Sequence, residues 1–272
     1  MADRDSLAII IVTYNSTEEI AGCLRSLIGH TSPFPTTITV VDNASTDGTA
    51  AYVRNNFPSV QVIESGGNLG FAKANNLGIR STDSEYVLLM NPDTEAPPGA
   101  IQTLVRGLAS HPEAAIAGAR LLSDRGFPEL SWGEPITPWN ELRQMIFSRL
   151  YHRKIRRIVR IVDKLSRQAR EVAWVSGACM VIRRTDLESV NLLDERFFMY
   201  TEDVDLCVEL GKRGRATLYV AGAEVIHYRG RSGPHNPDLE RLRQQSHIAY
   251  YDKHLPRWAP LLRAYLKATG KL

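Results

Sequence analysis

The sequence predicts an α/β fold, a single doubly wound and mostly parallel sheet flanked by helices, with a helical C-terminal extension. Three observations carry this. Strand-like and helix-like segments alternate four times within the first 90 or so residues. Two strand-like runs, Leu7–Thr13 and Tyr86–Met90, are nearly uninterrupted apolar stretches, as strands covered on both faces must be. Each run is then closed by a polar or proline-containing turn.

Leu7–Thr13 is the first strand, broken by Tyr14-Asn15-Ser16. Apolar residues at Ile20, Cys23, Leu24, Leu27 and Ile28 give the following segment helical spacing, with Ser16 or Thr17 as N-cap. Pro33 and Pro35 mark a loop. Thr37–Val41 is the second strand, ending at Asp42-Asn43, and Ser45–Gly48 turns the chain into a helix reaching about Asn56. Val60–Ile63 is a third strand; Ser65-Gly66-Gly67-Asn68-Leu69-Gly70 leads to a helix over Phe71–Ile79. The Tyr86–Met90 strand stops at Asn91-Pro92-Asp93, because proline cannot continue a central ladder. A helix over Gly99–His111 and a strand over Ala114–Leu121 follow, then an irregular stretch, 123–138, containing Pro128, Trp132, Pro135 and Pro138. Phe147, Tyr151, Ile155, Ile158, Val162 and Leu165 recur every three or four residues and predict one amphipathic helix over about 143–168. Val172–Ile182 is strand-like around Ser176-Gly177, Glu202–Gly214 is helical, and Thr217–Val220 and Glu224–His227 are two short strands. Pro237–Lys267 is helical with a break at Pro256.

The chain has 272 residues, 43% of them hydrophobic and 23% charged, which is the make-up of an ordinary globular protein with a sizeable core. No stretch approaches the roughly 18 apolar residues of a membrane span. Met1–Asp5 leads directly into the first strand, so no signal peptide is expected. Cys23, Cys179 and Cys207 are far apart and form no CxxC pair, which argues against a disulfide framework or zinc cluster and for a reducing, cytoplasmic setting. The net charge is +3, but Glu141–Arg170 alone holds ten basic residues (Arg143, Arg149, Arg153, Lys154, Arg156, Arg157, Arg160, Lys164, Arg167, Arg170) against Glu141 and Asp163. Such a segment is either a solvated face or a surface for anionic membrane headgroups; without a recognition motif, nucleic acid is not an expected partner.

Right-handed crossovers would bring Tyr14, Asp42, the Gly66-Gly67 loop and Asp93 to one sheet edge, where open α/β sheets bind ligands. A dinucleotide fold is excluded, since the first turn, Thr13–Ser16, lacks glycine; a P-loop is excluded too, since no GxxxxGK[ST] occurs. The loop chemistry is acidic: Asp42, Asp93 and the Glu202-Asp203-Val204-Asp205 cluster. Carboxylates facing a phosphorylated ligand imply a bridging divalent cation.

Val12-Thr13-Tyr14-Asn15, Val41-Asp42-Asn43-Ala44-Ser45-Thr46-Asp47-Gly48-Thr49, Asn68-Leu69-Gly70-Phe71, Asn91-Pro92-Asp93 and Tyr200-Thr201-Glu202-Asp203 occur in this order. Together they resemble the motif series of family 2 glycosyltransferases, most closely the rhamnosyltransferase-like branch, over roughly residues 7–230. The resemblance implies a GT-A domain over 1–235, its nucleotide-sugar half at 1–121 and its acceptor and base half at 122–235, with 236–272 as the helical extension. It implies that Thr13, Tyr14 and Asn15 hold the base and ribose, and that Asp42 accepts the base N3 hydrogen, an acceptor-only task suited to an ionised carboxylate. Gly67 and Asn68 would lie against the nucleotide; Lys73 either reaches a phosphate or is merely solvated. Asn91-Pro92-Asp93 matches the DxD site with Asn in place of the first acid, leaving Asp93 as the charged ligand for magnesium or manganese. By the same resemblance Asp203 is the catalytic base of an inverting displacement, with Glu202 and Asp205 as rivals, and His227 is a second metal ligand or a structural histidine. Trp174 is either an acceptor-side stacking platform or core. The implied reaction is sugar transfer to a saccharide hydroxyl, with dTDP-L-rhamnose the leading donor, in cell-surface polysaccharide synthesis on saccharide or lipid-linked acceptors, cytoplasmic or peripheral at the inner membrane face. The alternatives are a UDP-sugar transferase, galactofuranosyl or N-acetylglucosaminyl, and a silent nucleotide-sugar-binding relative.

Overall fold

β1 (Leu7–Thr13) is buried at every position and sits between two parallel neighbours, β2 (Thr36–Asp42) and β4 (Tyr86–Met90). β3 (Gln61–Glu64) extends the sheet beyond β2. These strands belong to a computed structural model that describes residues 6–28, 34–153, 155–228 and 239–270. The N-terminal Met1–Asp5, the loop at Pro33, Lys154, the helix start at Pro237 and the boundary at 235/236 lie outside the described residues. Alternation along β1 splits the core in two. Leu7, Ile9 and Ile11 face a layer that includes Ile20 and Leu24 of α1 (Thr17–Ile28), Val53 of α2 (Thr49–Asn56) and Leu104 of α4 (Ala100–Ala109). Ala8, Ile10 and Val12 face Ala72 and Ile79 of α3 (Phe71–Arg80), Leu187 of α7 (Arg184–Ser189) and Leu206 of α8 (Glu202–Gly211). A sheet buried on both faces explains why β1 and β4 read as continuous apolar runs.

The second half departs from uniform parallel pairing. β10 (Cys179–Arg183) runs antiparallel between β4 and β6 (Ala114–Leu122), while β11 (Ala216–His227) is parallel to β6. The cause is the path of the chain. β6 runs the same way as β4, and the chain enters β10 at the edge where β4 ends, with Cys179 beside Met90, so β10 runs back between them. β5 (Thr94–Glu95) and β8 (Arg170–Val172) pair antiparallel with β11. The strand order is β3-β2-β1-β4-β10-β6-β11-β5, with β8 also on β11; β7 (Trp132–Gly133) and β9 (Trp174–Val175) form a separate ribbon.

Several element boundaries differ from the sequence-based expectation. Thr217–Val220 and Glu224–His227 are one strand, β11, with a register shift between Val220 and Glu224 that keeps both halves paired to β6. Val172–Ile182 is three strands rather than one, and β5, β7 and α7 were not predicted. The single helix over 143–168 is two, α5 (Pro138–His152) and α6 (Arg156–Ser166), broken where Ile155 is extended at φ −63°, ψ 112°. Separate anchors override the helical spacing there: Tyr151 donates its hydroxyl to Pro128 O (2.6 Å), whereas α6 is held by buried Val162 and by Tyr219, whose hydroxyl donates to Ser166 O (2.9 Å). At the C-terminus α9 (Leu239–His254) and α10 (Ala259–Ala268) flank Pro256, as expected.

Candidate active site

The ends of β1, β2, β3, β4 and β11 lie on one sheet edge, and four loops there, those after β1, β2 and β3 and the one before α8, build the site with the close of β4. Thr13 and Asp42 are register partners at the close of β1 and β2. Both are buried, and Thr13 Oγ1 and Asp42 Oδ1 have no hydrogen-bond partner within the protein. Buried polar atoms are nearly always satisfied, so a ligand offering a donor fits against this adjacent pair. Asp42 Oδ2 is used internally, accepting from Ser45 N (3.1 Å). Tyr14 stands 39% exposed on the rim. Asn15, at φ 52°, donates its N–H to Ser45 Oγ (2.9 Å) and accepts from Thr46 N (2.7 Å), so it braces one loop against the next.

A similar brace forms the third loop. Asn43, buried, donates to Asn68 Oδ1 (3.0 Å) and accepts from Leu69 N (2.8 Å); Asn68 Oδ1 also accepts from Gly70 N (3.1 Å). The carbonyl of Asn68's side chain is therefore spent inside the loop, leaving the open approach to Gly67, where an added Cβ would meet nothing within 4 Å. Gly70, at φ +79°, lies so close to the Phe198 carbonyl that no side chain fits, and Phe71 N donates to that same oxygen (2.6 Å). Lys73 is exposed on α3.

At the end of β4, Asn91 N donates to Ala178 O (3.0 Å), and its own carbonyl accepts from Thr94 Oγ1 (2.6 Å). Asp93 is buried, with Oδ1 3.4 Å from Nε2 of His227, the last residue of β11. The other ring nitrogen, Nδ1, is 2.9 Å from Glu129 Oε2. Burial alone would lower the imidazole pKa, but the acceptors Asp93 and Glu129 outweigh it and hold it at about 9. A carboxylate on Nδ1 turns the Nε2 lone pair toward Asp93, the arrangement that orients metal-ligating histidines, and a cation there would displace the proton. Asp93 and His227 thus fit a magnesium or manganese ion, and partly exposed Asn91 lies two residues before Asp93 in the chain. Glu129 was not predicted: it is 98 residues from His227, in an irregular stretch, and no local pattern links the two.

The fourth loop brings in α8. Tyr200 (φ 70°) and Thr201 (φ 72°) are both left-handed just before it, a strain that non-glycine residues bear mainly at functional sites. Asp203 Oδ2 accepts from Gly177 N and Oδ1 from Val204 N, both at 2.8 Å. Since Ala178 O accepts from Asn91 N, consecutive residues of one loop hold Asp203 and Asn91 together. Burial pushes the Asp203 carboxyl up, and those N–H donors pull it back. Glu202 is displaced much further upward by burial and by the neighbouring charges of Asp203 and Asp205, and its Oε2 has no partner. Asp205 is occupied elsewhere, in contact with Lys253 Nζ (2.8 Å) and His254 Nε2 (2.6 Å) of α9. Trp174 donates its indole N–H to Glu134 O (3.0 Å), lies over Gly133, and packs against both the sheet core and the α9–α10 cluster.

The family model for glycosyl transferase family 2 matches residues 8–190. The N-acetylglucosaminyl-diphospho-decaprenol L-rhamnosyltransferase of Mycobacterium tuberculosis is 30% identical, over 97% of this chain and 90% of that protein. The low-salt glycan biosynthesis hexosyltransferase Agl10 of Haloferax volcanii is 29% identical over 91% of this chain and 72% of its own length. Among solved structures, the mannosyltransferase PcManGT from Pyrobaculum calidifontis, in complex with GDP-Man and Mn2+, superposes with a TM-score of 0.63 at 19% identity, covering 96% of this chain and 69% of that one. The sheet with its four-loop edge, the matched family model and these relatives agree, and the chain belongs to glycosyl transferase family 2 and is a glycosyltransferase of GT-A fold.

Proposed function

We propose that the protein transfers L-rhamnose from dTDP-L-rhamnose, with inversion, to a hydroxyl of a lipid-linked saccharide at the cytoplasmic face of the membrane, in cell-surface polysaccharide synthesis. The observation that carries the mechanism is the clamping of Asp203 by Gly177 N–H at 2.8 Å, one residue from the carbonyl that holds Asn91. Residues 1–121 supply the donor side: Asp42 Oδ1 accepts the base N3 hydrogen, Thr13 Oγ1 meets the base or ribose, and Tyr14 covers the rim. Asn15 and Asn68 hold the loops, Gly67 admits the nucleotide backbone, and Lys73 is positioned for solvent or a phosphate. Asp93 and His227, with Glu129 behind the imidazole, hold the divalent cation, and Asn91 offers a neutral oxygen. When bound, the cation neutralises the diphosphate and stabilises it as a leaving group.

Residues 122–235 supply the acceptor side. Asp203 takes the proton from the acceptor hydroxyl as its oxygen bonds to the anomeric carbon and the bond to the diphosphate oxygen breaks, inverting that centre. A carboxylate suffices because proton loss is concerted with attack. Glu202, driven toward its protonated form, shapes the charge beside Asp203, and Trp174 forms the wall of the acceptor region. The rhamnosyl donor and lipid-linked acceptor rest on the named activity of the 30% identical relative. A thermal-shift panel of dTDP-, UDP- and GDP-sugars, each with and without manganese, tests the reading. The expected result is stabilisation by dTDP-L-rhamnose, larger with the ion; preferential stabilisation by a UDP-sugar would move the donor assignment to that class.

A further inference from the structure

α5 is a helix without a buried face. None of its described side chains is fully buried, and Trp139 is 68%, Leu142 43% and Ile146 50% exposed. Positions 139, 142 and 146 share one helical face, so the large apolar side chains form a stripe directed away from the core. Folded proteins rarely leave such a stripe uncovered. Yet the helix is firmly placed. Thr137 caps it by accepting from Asn140 N (3.1 Å), Glu141 contacts His247 (2.8 Å) and Tyr251 of α9, and Tyr151 is tied to Pro128.

The charges around it point the same way. Both acids of the segment are engaged on the protein side, Glu141 by α9 and Asp163 by Arg120 (3.3 Å) and Arg167 (3.1 Å). In α6, Val162 and Ser166 face inward, which turns Arg157, Arg160 and Lys164, all exposed, outward along one face. Among the described residues these three make no ion pair. A second copy of the chain would bring equally basic faces together and be repelled; a nucleic acid would meet the cations but not the apolar stripe. An anionic bilayer satisfies both.

We propose that α5 and α6 adsorb this protein to an anionic lipid bilayer, with Trp139, Leu142 and Ile146 among the lipids and Arg157, Arg160 and Lys164 on the headgroups. Among the described residues no helix is long and apolar enough to cross a membrane, so attachment would be interfacial. The surface lies one loop from the Glu129–His227 pair, since Tyr151 of α5 is bonded to Pro128. That placement would suit a lipid-linked acceptor, but vesicle binding does not rest on the transfer reading.

The test is co-sedimentation of the full chain with phosphatidylcholine vesicles, with and without phosphatidylglycerol, at low and high salt. Binding should be at least about tenfold stronger with the anionic lipid and fall with salt. Replacing Arg157, Arg160 and Lys164 together by Ser should weaken it roughly fivefold per charge removed. Trp139→Ser with Ile146→Ser should also weaken it, with an unchanged far-UV spectrum because neither side chain belongs to the buried core. Equal binding to neutral and anionic vesicles, or either variant binding like the parent, overturns the proposal. So does a concentration-dependent dimer in sedimentation equilibrium that Trp139→Ser with Ile146→Ser dissolves. If that variant misfolds, the charge variant alone decides.

Discussion

Asp203→Asn separates chemistry from architecture. The carboxylate accepts two backbone N–H bonds at 2.8 Å, from Gly177 and Val204. Asparagine keeps the shape and one acceptor oxygen, but its amino group must face the other donor. Losing that bond beside a buried group costs about 1–3 kcal/mol. In a chain of this size that is a fall in Tm of roughly 2–4 °C for each kcal/mol. The chemical loss is larger. Without a general base at the acceptor hydroxyl, turnover should fall about 10²–10⁴-fold, while nucleotide affinity, set by the Asp42 loop, stays unchanged. The assay pairs release of free nucleotide, with acceptor present, against calorimetric nucleotide binding. Turnover within tenfold of the parent would refute the assignment of Asp203, and loss of both turnover and binding would show that the substitution had merely disordered the edge.

Glu129→Gln leaves Asp93 and His227 in place but removes the charge behind Nδ1; manganese affinity, read by electron paramagnetic resonance of the free ion, should weaken about 10–100-fold. Glu202 has a folded-state pKa above its unfolded value, so the folded protein holds the proton more tightly and stability declines as pH rises from the unfolded pKa toward the folded one. Glu202→Gln should therefore raise Tm at neutral pH and leave it nearly unchanged below the unfolded carboxyl pKa, as thermal unfolding across pH would record. Asp205→Ala leaves Lys253 on Asp194 (2.9 Å) but removes the partner of buried His254 Nε2, which costs about 1–3 kcal/mol, a Tm loss of roughly 2–12 °C, without changing nucleotide affinity in the fraction that remains folded.

The strands of the first half were legible because burial on both faces forces apolar runs, and Tyr14, Asp42 and Asp93, at or just past their ends, then fell on one edge by topology. The acid cluster of α8 was legible only as a cluster. Asp203, Glu202 and Asp205 are indistinguishable by spacing, and what parts them is contact with residues far away in the chain, Gly177 for one and Lys253 for another. Glu129 was invisible for the same reason. The break at Ile155 was hidden by a helical repeat that runs straight through it, and the direction of β10 depends on where the chain re-joins the sheet, which no local pattern records.

The antiparallel β10 also bears on the order in which the molecule is assembled. β6 makes no pairing with β4; its sheet neighbours are β10 and β11, both made later in the chain. A nascent chain that has just completed β6 therefore holds four joined strands, β3-β2-β1-β4, with one side of β4 open and β6 without a neighbour. Only after Arg183 has been synthesised can β10 close that gap, and the same step delivers Gly177 to the place where Asp203 will dock. Until then the donor-side strands carry an unprotected edge, which makes this stretch of synthesis the interval in which mispairing with another chain is easiest.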